Sequence, residues 1–349
     1  MFINNCSLAK SEAPIQGSTL TAHYSLLISS FMFATETASE NGFKKIVLKD
    51  TISKTFVEVI PSCGAILHSF TVLHNNSALN VIDHYESAKD FKANVTSKGF
   101  KGCKLSPFAC RLKNAAYHFG EKDYTIEKFL LNENALHGLL YDAAFTITDQ
   151  YADEASASVA LKYSYAGADA GYPFHYDCVV AYHLKKDNEL TVVTEIINRD
   201  KGLIPIQDGW HPYFTLGGKI DDLQLEFQSK EIVVFDEALI PTGELVAYQE
   251  FGSLKKMGDT SLDNCFTLNF AECQPLCVLR DAVKKIQIEI SPDKHYPYLQ
   301  IYTPPHRNSI AIENLSAAPD AFNNNMGLII LQPGENIIFS ATYKITSLI

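Results

Sequence analysis

"YPFHYDCVVAYHLKKDNELTVVTEIIN", residues 172–198, decides the class of fold. Its segments "YDCVVAYHL" and "ELTVVTEIIN" alternate apolar with polar residues. That period of two belongs to half-buried strands, whose successive side chains point to opposite faces. The intervening "KKDN", residues 185–188, reads as a hairpin loop. The same signal extends in both directions. Upstream lie "KKIVLKD" (44–50), "TFVEVIPSCGAILHSFTVL" (55–73) and "SASVALKYSY" (156–165), with Gly64 marking a bend or bulge. Downstream lie "LQLEFQ", "EIVVFD", "CVLRD", "KKIQIEIS", "YLQIYTP", "SIAIENL" and "NIIFSATYKIT", the last preceded by the turn "QPGEN". Helical signal is confined to the polar stretch "YESAKDFKANV", residues 85–95.

More than a dozen short strands with no helices between them must bury their apolar faces against one another, as packed sheets or a barrel. No linker and no change of composition divides the chain after residue 43, and no internal repeat is present. The expected fold is all-β: one large β-sandwich over residues 41–349, with its site on a concave sheet face. Residues 1–40 are expected to be an N-terminal extension outside the fold. The apolar run there, "YSLLISSFMFA" (24–34), is broken by serines and shorter than the roughly 20 residues a membrane helix needs. It also lacks the basic start and small-residue cleavage site of a signal peptide.

Composition excludes several classes. The 349 residues are 46% apolar and 20% charged, values that allow a sizeable core. With 29 basic against 40 acidic residues, the formal net charge is -11. A nucleic-acid partner would want a basic face, and anionic membranes or polyanions would be repelled, although a local basic pocket stays open. Eight cysteines are scattered rather than clustered, so reduced core thiols and a cytoplasmic location are expected. Cys273 and Cys277 form a C-x-x-x-C pair without the second pair of a structural zinc site.

Four stretches place ionisable groups beside turn-forming or aromatic residues: "LSPFACRLKNAAYHF" with Arg111, "NENALHGLLYD" with His137, "DGWHPYFTL" with His211, and "SIAIENLSAAPDAFN" with Glu313. "SLDNCFTL", with Asp263, is a fifth. Taken singly, most have plain readings. His137 and His211 suit partly buried histidines. Arg111 suits a structural ion pair, and Asp263 a turn cap. Glu313 shares a strand face with Ala311 and Ser309, and period alone leaves open whether that face is solvent or groove. The dinucleotide, P-loop and serine-hydrolase fingerprints are absent from the sequence, as are the H-x-H and H-E-x-x-H metal motifs.

In their order and spacing these stretches resemble the aldose 1-epimerase (galactose mutarotase) family. "GCKLSPFACRLKNAAYHF" is similar to its arginine segment, "NALHGLLYD" to its N-x-L-H-G element and "GWHPYFTL" to its H-P-Y-F element. "LDNCF" and "IAIENLSAAPDAFN" are similar to the segments bearing its aspartate and glutamate. Two departures mark a divergent branch: Leu139 follows Gly138, and Cys110 precedes Arg111 where the family often has asparagine. The resemblance runs from about residue 43 to the C-terminus. It implies a galactose mutarotase-like supersandwich that interconverts the α and β anomers of a free aldohexose of galactose or glucose type. It further implies Glu313 as general base, His211 as general acid, and Arg111, His137 and Asp263 as contacts to substrate hydroxyls.

Ring opening of a hemiacetal needs one group to take the C1 hydroxyl proton and another to protonate the ring oxygen, which carboxylate and imidazole do near neutrality. No metal, nucleotide or redox cofactor is required. The expected partner is a small sugar, with neither nucleic acid nor membrane, on a monomer or homodimer. Two rivals share the fold. A hexose-6-phosphate epimerase would want a basic clamp, for which Lys101, Lys104, Lys113 and Arg307 are candidates. A non-catalytic sugar-binding protein would not need both His211 and Glu313. Met32 is also expected as a natural start of translation, so mass spectrometry of the native protein should find no peptides from residues 1–31; an intact Met1 terminus would overturn this.

Overall fold

The computed structural model describes residues 32–348. Two large antiparallel sheets dominate. The nine-stranded sheet runs Thr146–Ala152, Ser156–Ala166, His175–Lys185, Glu189–Asn198, Asn336–Ser347, Ile286–Pro292, Cys277–Asp281, Gln224–Phe227 and Lys255–Lys256. The "KKDN" loop closes its central hairpin, where Lys185 pairs with Glu189. The eight-stranded sheet runs Pro241–Ala247, Ser229–Phe235, Asp263–Leu268, Tyr298–Tyr302, Ile310–Leu315, Gly209–Trp210 and Lys104–Leu105, with Tyr213–Phe214 added on Ile310–Leu315.

The two sheets share one core. Aromatic pairs cross between them: Trp210 on Tyr182 at 6.1 Å, Phe214 on Tyr343 at 5.4 Å and Phe227 on Phe266 at 4.7 Å between ring centroids. The fold is therefore the expected all-β sandwich. Alternation decides what each strand gives to the core. Ile310 and Ile312 enter it, as do Leu299 and Ile301 of the neighbouring strand. Glu313 and Gln300 consequently face the opposite side, paired across the two strands.

Three sequence expectations need comment. The polar stretch does contain a helix, Ala88–Asn94, capped by Ser87. Residues 55–73 form two strands, Thr55–Ile60 and Ile66–His74, rather than one bent strand. Gly64 lies in the turn between them at φ +67, where a Cβ would sit 2.4 Å from the Tyr141 carbonyl oxygen. The third point is a correction. The extension outside the fold was expected to reach residue 40, but Phe33–Glu40 is a strand that pairs with Phe43–Asp50. Phe33 is fully buried in the core, and Asn41 and Gly42 both take positive φ in the connecting turn. Asn-Gly suits that hairpin geometry. "FATETASE" hid the strand because most of its side chains stay at least partly exposed. Residues 1–31 lie outside the described residues. Among the described residues, no helix is long and apolar enough to cross a membrane.

A fully buried ion pair sits where the short strands of the second sheet meet. Lys104 Nζ lies 2.5 Å from an Asp208 carboxylate oxygen and donates to the Gly209 carbonyl at 2.9 Å. It also lies 4.7 Å from the centre of the Trp210 ring, while the Tyr296 hydroxyl donates to Asp208 at 2.7 Å. Such a pair stabilises little overall, but losing one partner strands a charge without water. Asp208→Asn should cost about 3–5 kcal/mol in urea unfolding, and adding Lys104→Met should recover most of it. A single mutant as stable as wild type would show the charge is not confined as described.

Candidate active site

Strand pairing brings the two central residues together. Gly209 pairs with Leu315 and Tyr213 with Ala311, both on the strand Ile310–Leu315. Two residues inward from each pairing stand His211 and Glu313. Regular pairing lapses there because Pro212 follows His211 and has no N–H to give. The histidine backbone is held from the other side instead: its N–H donates to Cys103 at 3.1 Å, and its carbonyl accepts from Gly102 at 2.9 Å. Gly209 keeps the strands close, since a Cβ there would meet the Leu315 side chain at 2.5 Å. His211 Nε2 lies 3.3 Å from Glu313 Oε1.

The pair opens into a cavity of about 520 Å³ on the face of the eight-stranded sheet turned away from the core. All five residues singled out in the sequence line it. Asp263 comes from the strand Asp263–Leu268 of the same sheet. Arg111 comes from a small separate sheet, in which it pairs with Leu136, and His137 stands in the bend that follows the strand of Leu136. A run of rings forms one wall: Phe100 packs edge-on against His137 at 4.7 Å, His137 against His211 at 4.9 Å, and His211 stacks on Tyr213 at 5.0 Å. Gly99 presses on that wall. Its φ is +79, and a Cβ would fall 2.4 Å from the Tyr213 hydroxyl.

Burial sets the electrostatics. It lowers the His211 pKa to about 3 and holds His137 well below the ordinary imidazole range, helped by the charges of His211 and Arg111. It pushes Glu313 well above the ordinary carboxylate range, with the Asp263 charge adding to the effect. Asp263 is raised by burial too, against the opposing pull of Arg111 and a 2.9 Å hydrogen bond from Gln300. Of the two ways His211 and Glu313 hold a single proton, burial favours the neutral one, a carboxylic acid beside a neutral imidazole. Several polar atoms are buried without a partner: His137 Nδ1, His211 Nδ1, Glu313 Oε2 and Gln300 Oε1. The Arg111 guanidinium makes no hydrogen bond or ion pair with any described residue. Orphans of this density are costly unless a ligand satisfies them.

Gln300, Tyr213, Phe100 and Cys110 also line the cavity and were missed in the sequence. Gln300 left a signal: it is the polar residue of "YLQIY" on the face that pairs with Glu313. The candidate phosphate clamp does not assemble. Lys104 is buried with Asp208, Arg307 is bound by Asp221 and the Gly258 carbonyl, and Lys113 does not line the cavity. Lys101 does, with its charge taken by Asp83 at 2.7 Å. Cys110, His137 and Glu313 each offer a metal-ligating atom, all within 4.8 Å of one another.

The sequence profile of the aldose 1-epimerase family matches residues 45–344. The chain belongs to that family. Among curated proteins, it is 26% identical over 247 residues to the protein YihR of Escherichia coli, covering 67% of this chain and 75% of the other. It is 23% identical over 346 residues to a maltose epimerase of Levilactobacillus brevis, covering 90% and 98%. Among solved structures, a galactose mutarotase-like protein from Clostridium acetobutylicum superposes with a TM-score of 0.79 at 16% identity, over 90% of this chain and 99% of that one. This is the fold of the galactose mutarotases. Within this aldose 1-epimerase family member, the raised Glu313 pKa carries a stability consequence. The folded state keeps a proton that the unfolded state releases near its usual pKa of about 4.3. Stability should therefore fall as pH rises from that value through the folded pKa, and Glu313→Gln should remove this part of the slope. Identical slopes in denaturant titrations across pH would count against a buried, proton-holding Glu313.

Proposed function

We propose that this protein interconverts the α and β anomers of a free aldohexose of galactose or glucose type by acid/base ring opening. The observation that carries the reading is the His211–Glu313 contact of 3.3 Å, buried and open to a cavity whose other polar groups lack partners. Glu313 takes the C1 hydroxyl proton and His211 protonates the ring oxygen. The C1–O5 bond breaks, the aldehyde rotates about C1–C2, and the ring closes on the other face with the two roles exchanged. This cycle needs one proton on the pair. In the free protein burial favours it on Glu313, so it passes to His211 across their contact as the sugar's hydroxyls and Arg111 supply the polarity that burial withholds.

Arg111, His137 and Asp263 hold the substrate hydroxyls, and Gln300 joins them through its unpartnered carbonyl oxygen. Phe100 and Tyr213 give the apolar face of a sugar ring a surface to rest on. Holding the reacting atoms in line is a large part of such catalysis. The scattered placement of Lys104, Lys113 and Arg307 favours a neutral sugar over a 6-phosphate. Membership of the aldose 1-epimerase family, and likeness to a protein named for maltose, support a reducing sugar as substrate. Glu313→Gln and His211→Gln should each slow anomer exchange by about 10²–10⁴-fold, the usual worth of a positioned proton transfer. Polarimetry or NMR exchange on galactose, glucose and glucose 6-phosphate reads this directly. Near-normal rates in Glu313→Gln would overturn the assignment, and a preference for the phosphate would overturn the substrate class.

A further inference from the structure

We infer that Cys110, His137 and Glu313 form a binding site for a soft divalent cation, with Zn²⁺ as the best fit. One ligating atom from each lies within 4.8 Å of the others, and all three residues are buried. Tetrahedral zinc with bonds of about 2.0–2.3 Å spaces its ligands at about 3.5 Å, so closure asks for movements of about 1 Å by three rotatable side chains. The set of one thiolate, one imidazole and one carboxylate matches zinc's preference for mixed sulfur, nitrogen and oxygen donors, leaving a fourth position for water or a sugar hydroxyl.

Two further observations point to a ligand at this cluster. His137 Nδ1 and Glu313 Oε2 are buried with no partner, on residues 8% and 1% exposed. Cys110 and His137 are also both held in the left-handed backbone region, at φ +54 and +60, and joined by a 3.1 Å hydrogen bond from the His137 N–H to the Cys110 carbonyl. Positive φ is uncommon outside glycine, though histidine tolerates it better than cysteine, and here it accompanies the convergence of both side chains on Glu313. Charge balances too. Binding releases one proton from the Cys110 thiol and one from the Glu313 carboxyl, and the two negative ligands neutralise the ion in a site that would reject net charge. Burial holds the Cys110 thiol well above its ordinary pKa, with the Glu313, Cys265 and Asp263 charges adding to it and Arg111 opposing, so the ion itself must supply the charge that deprotonates it.

The inference rests on the cluster and not on the anomer-exchange reading, which chelator-treated wild type tests separately. The experiment is a Co²⁺ titration of the full chain followed by absorption. The expected result is a sulfur-to-cobalt charge-transfer band at a single equivalent, lost in Cys110→Ser and kept in Cys273→Ser, which removes the one exposed thiol among the described cysteines. Absence of the band in wild type, or its survival in Cys110→Ser, would overturn the site. Should Cys110→Ser not fold, X-ray absorption of Zn²⁺-loaded Cys273→Ser decides: one sulfur at about 2.3 Å supports the site, and a shell without sulfur overturns it.

Discussion

The structure turns on a matter of register. Leu315 faces Gly209 and Ala311 faces Tyr213, so the strand carrying Glu313 and the interrupted strand carrying His211 set those two side chains opposite each other. A slip of one strand by one residue would send its member of the pair to the other face of the sheet, because side chains alternate with a period of two. Much of the local structure guards against such a slip. Asp208 and Ser316 continue the same register through two 2.8 Å hydrogen bonds beyond Gly209. Trp210 points the other way, into the core, and its ring N–H donates to Thr194 of the nine-stranded sheet at 3.1 Å. The buried Lys104–Asp208 pair pins the same corner.

That rigidity explains how two ionisable groups remain buried in contact. Neither charge is welcome where water is excluded, and a mobile pair would swing out to solvent. Fixed on paired backbone, they settle instead into the form with least charge, a protonated carboxyl beside a neutral ring. The cost is held by the sandwich. The apolar core on the far side of the sheet, including Ile310, Ile312, Leu299 and Ile301, anchors the strands whose polar faces line the cavity. Strain is offset in the same way: Phe100, Cys110 and His137 all keep positive φ at the cavity wall.

The sandwich was legible in the sequence because its evidence is local. Alternation in "YDCVVAYHL" and "ELTVVTEIIN" needs no knowledge of partners, and those strands pair as hairpin neighbours. Family resemblance supplied the five cavity residues, whereas their residue types alone favoured plainer roles. Periodicity put Glu313 on one face with Ala311 but could not say which face, because that depends on where the nine-stranded sheet packs. Phe33–Glu40 was missed for the converse reason. A short edge strand with most of its side chains partly exposed lacks the apolar alternation that marks a buried one. Gln300 was missed because its significance comes from the neighbouring strand, where Glu313 is its partner.

Cys110 shows how one position gives this chain a chemistry of its own. Cys110 immediately precedes Arg111, and its sulfur lies within 4.8 Å of a Glu313 carboxylate oxygen. A thiol is a weak donor and does not hold the carboxylate as an amide would. Glu313 Oε2 is buried without a partner, and burial together with the Asp263 charge keeps the carboxyl's pKa high. The cavity thus places a polarisable thiol near two unpartnered atoms, Glu313 Oε2 and His137 Nδ1. On the two readings proposed above, a sugar's hydroxyls and a soft cation would draw on the same side chains, so the two ligands would compete for one cavity.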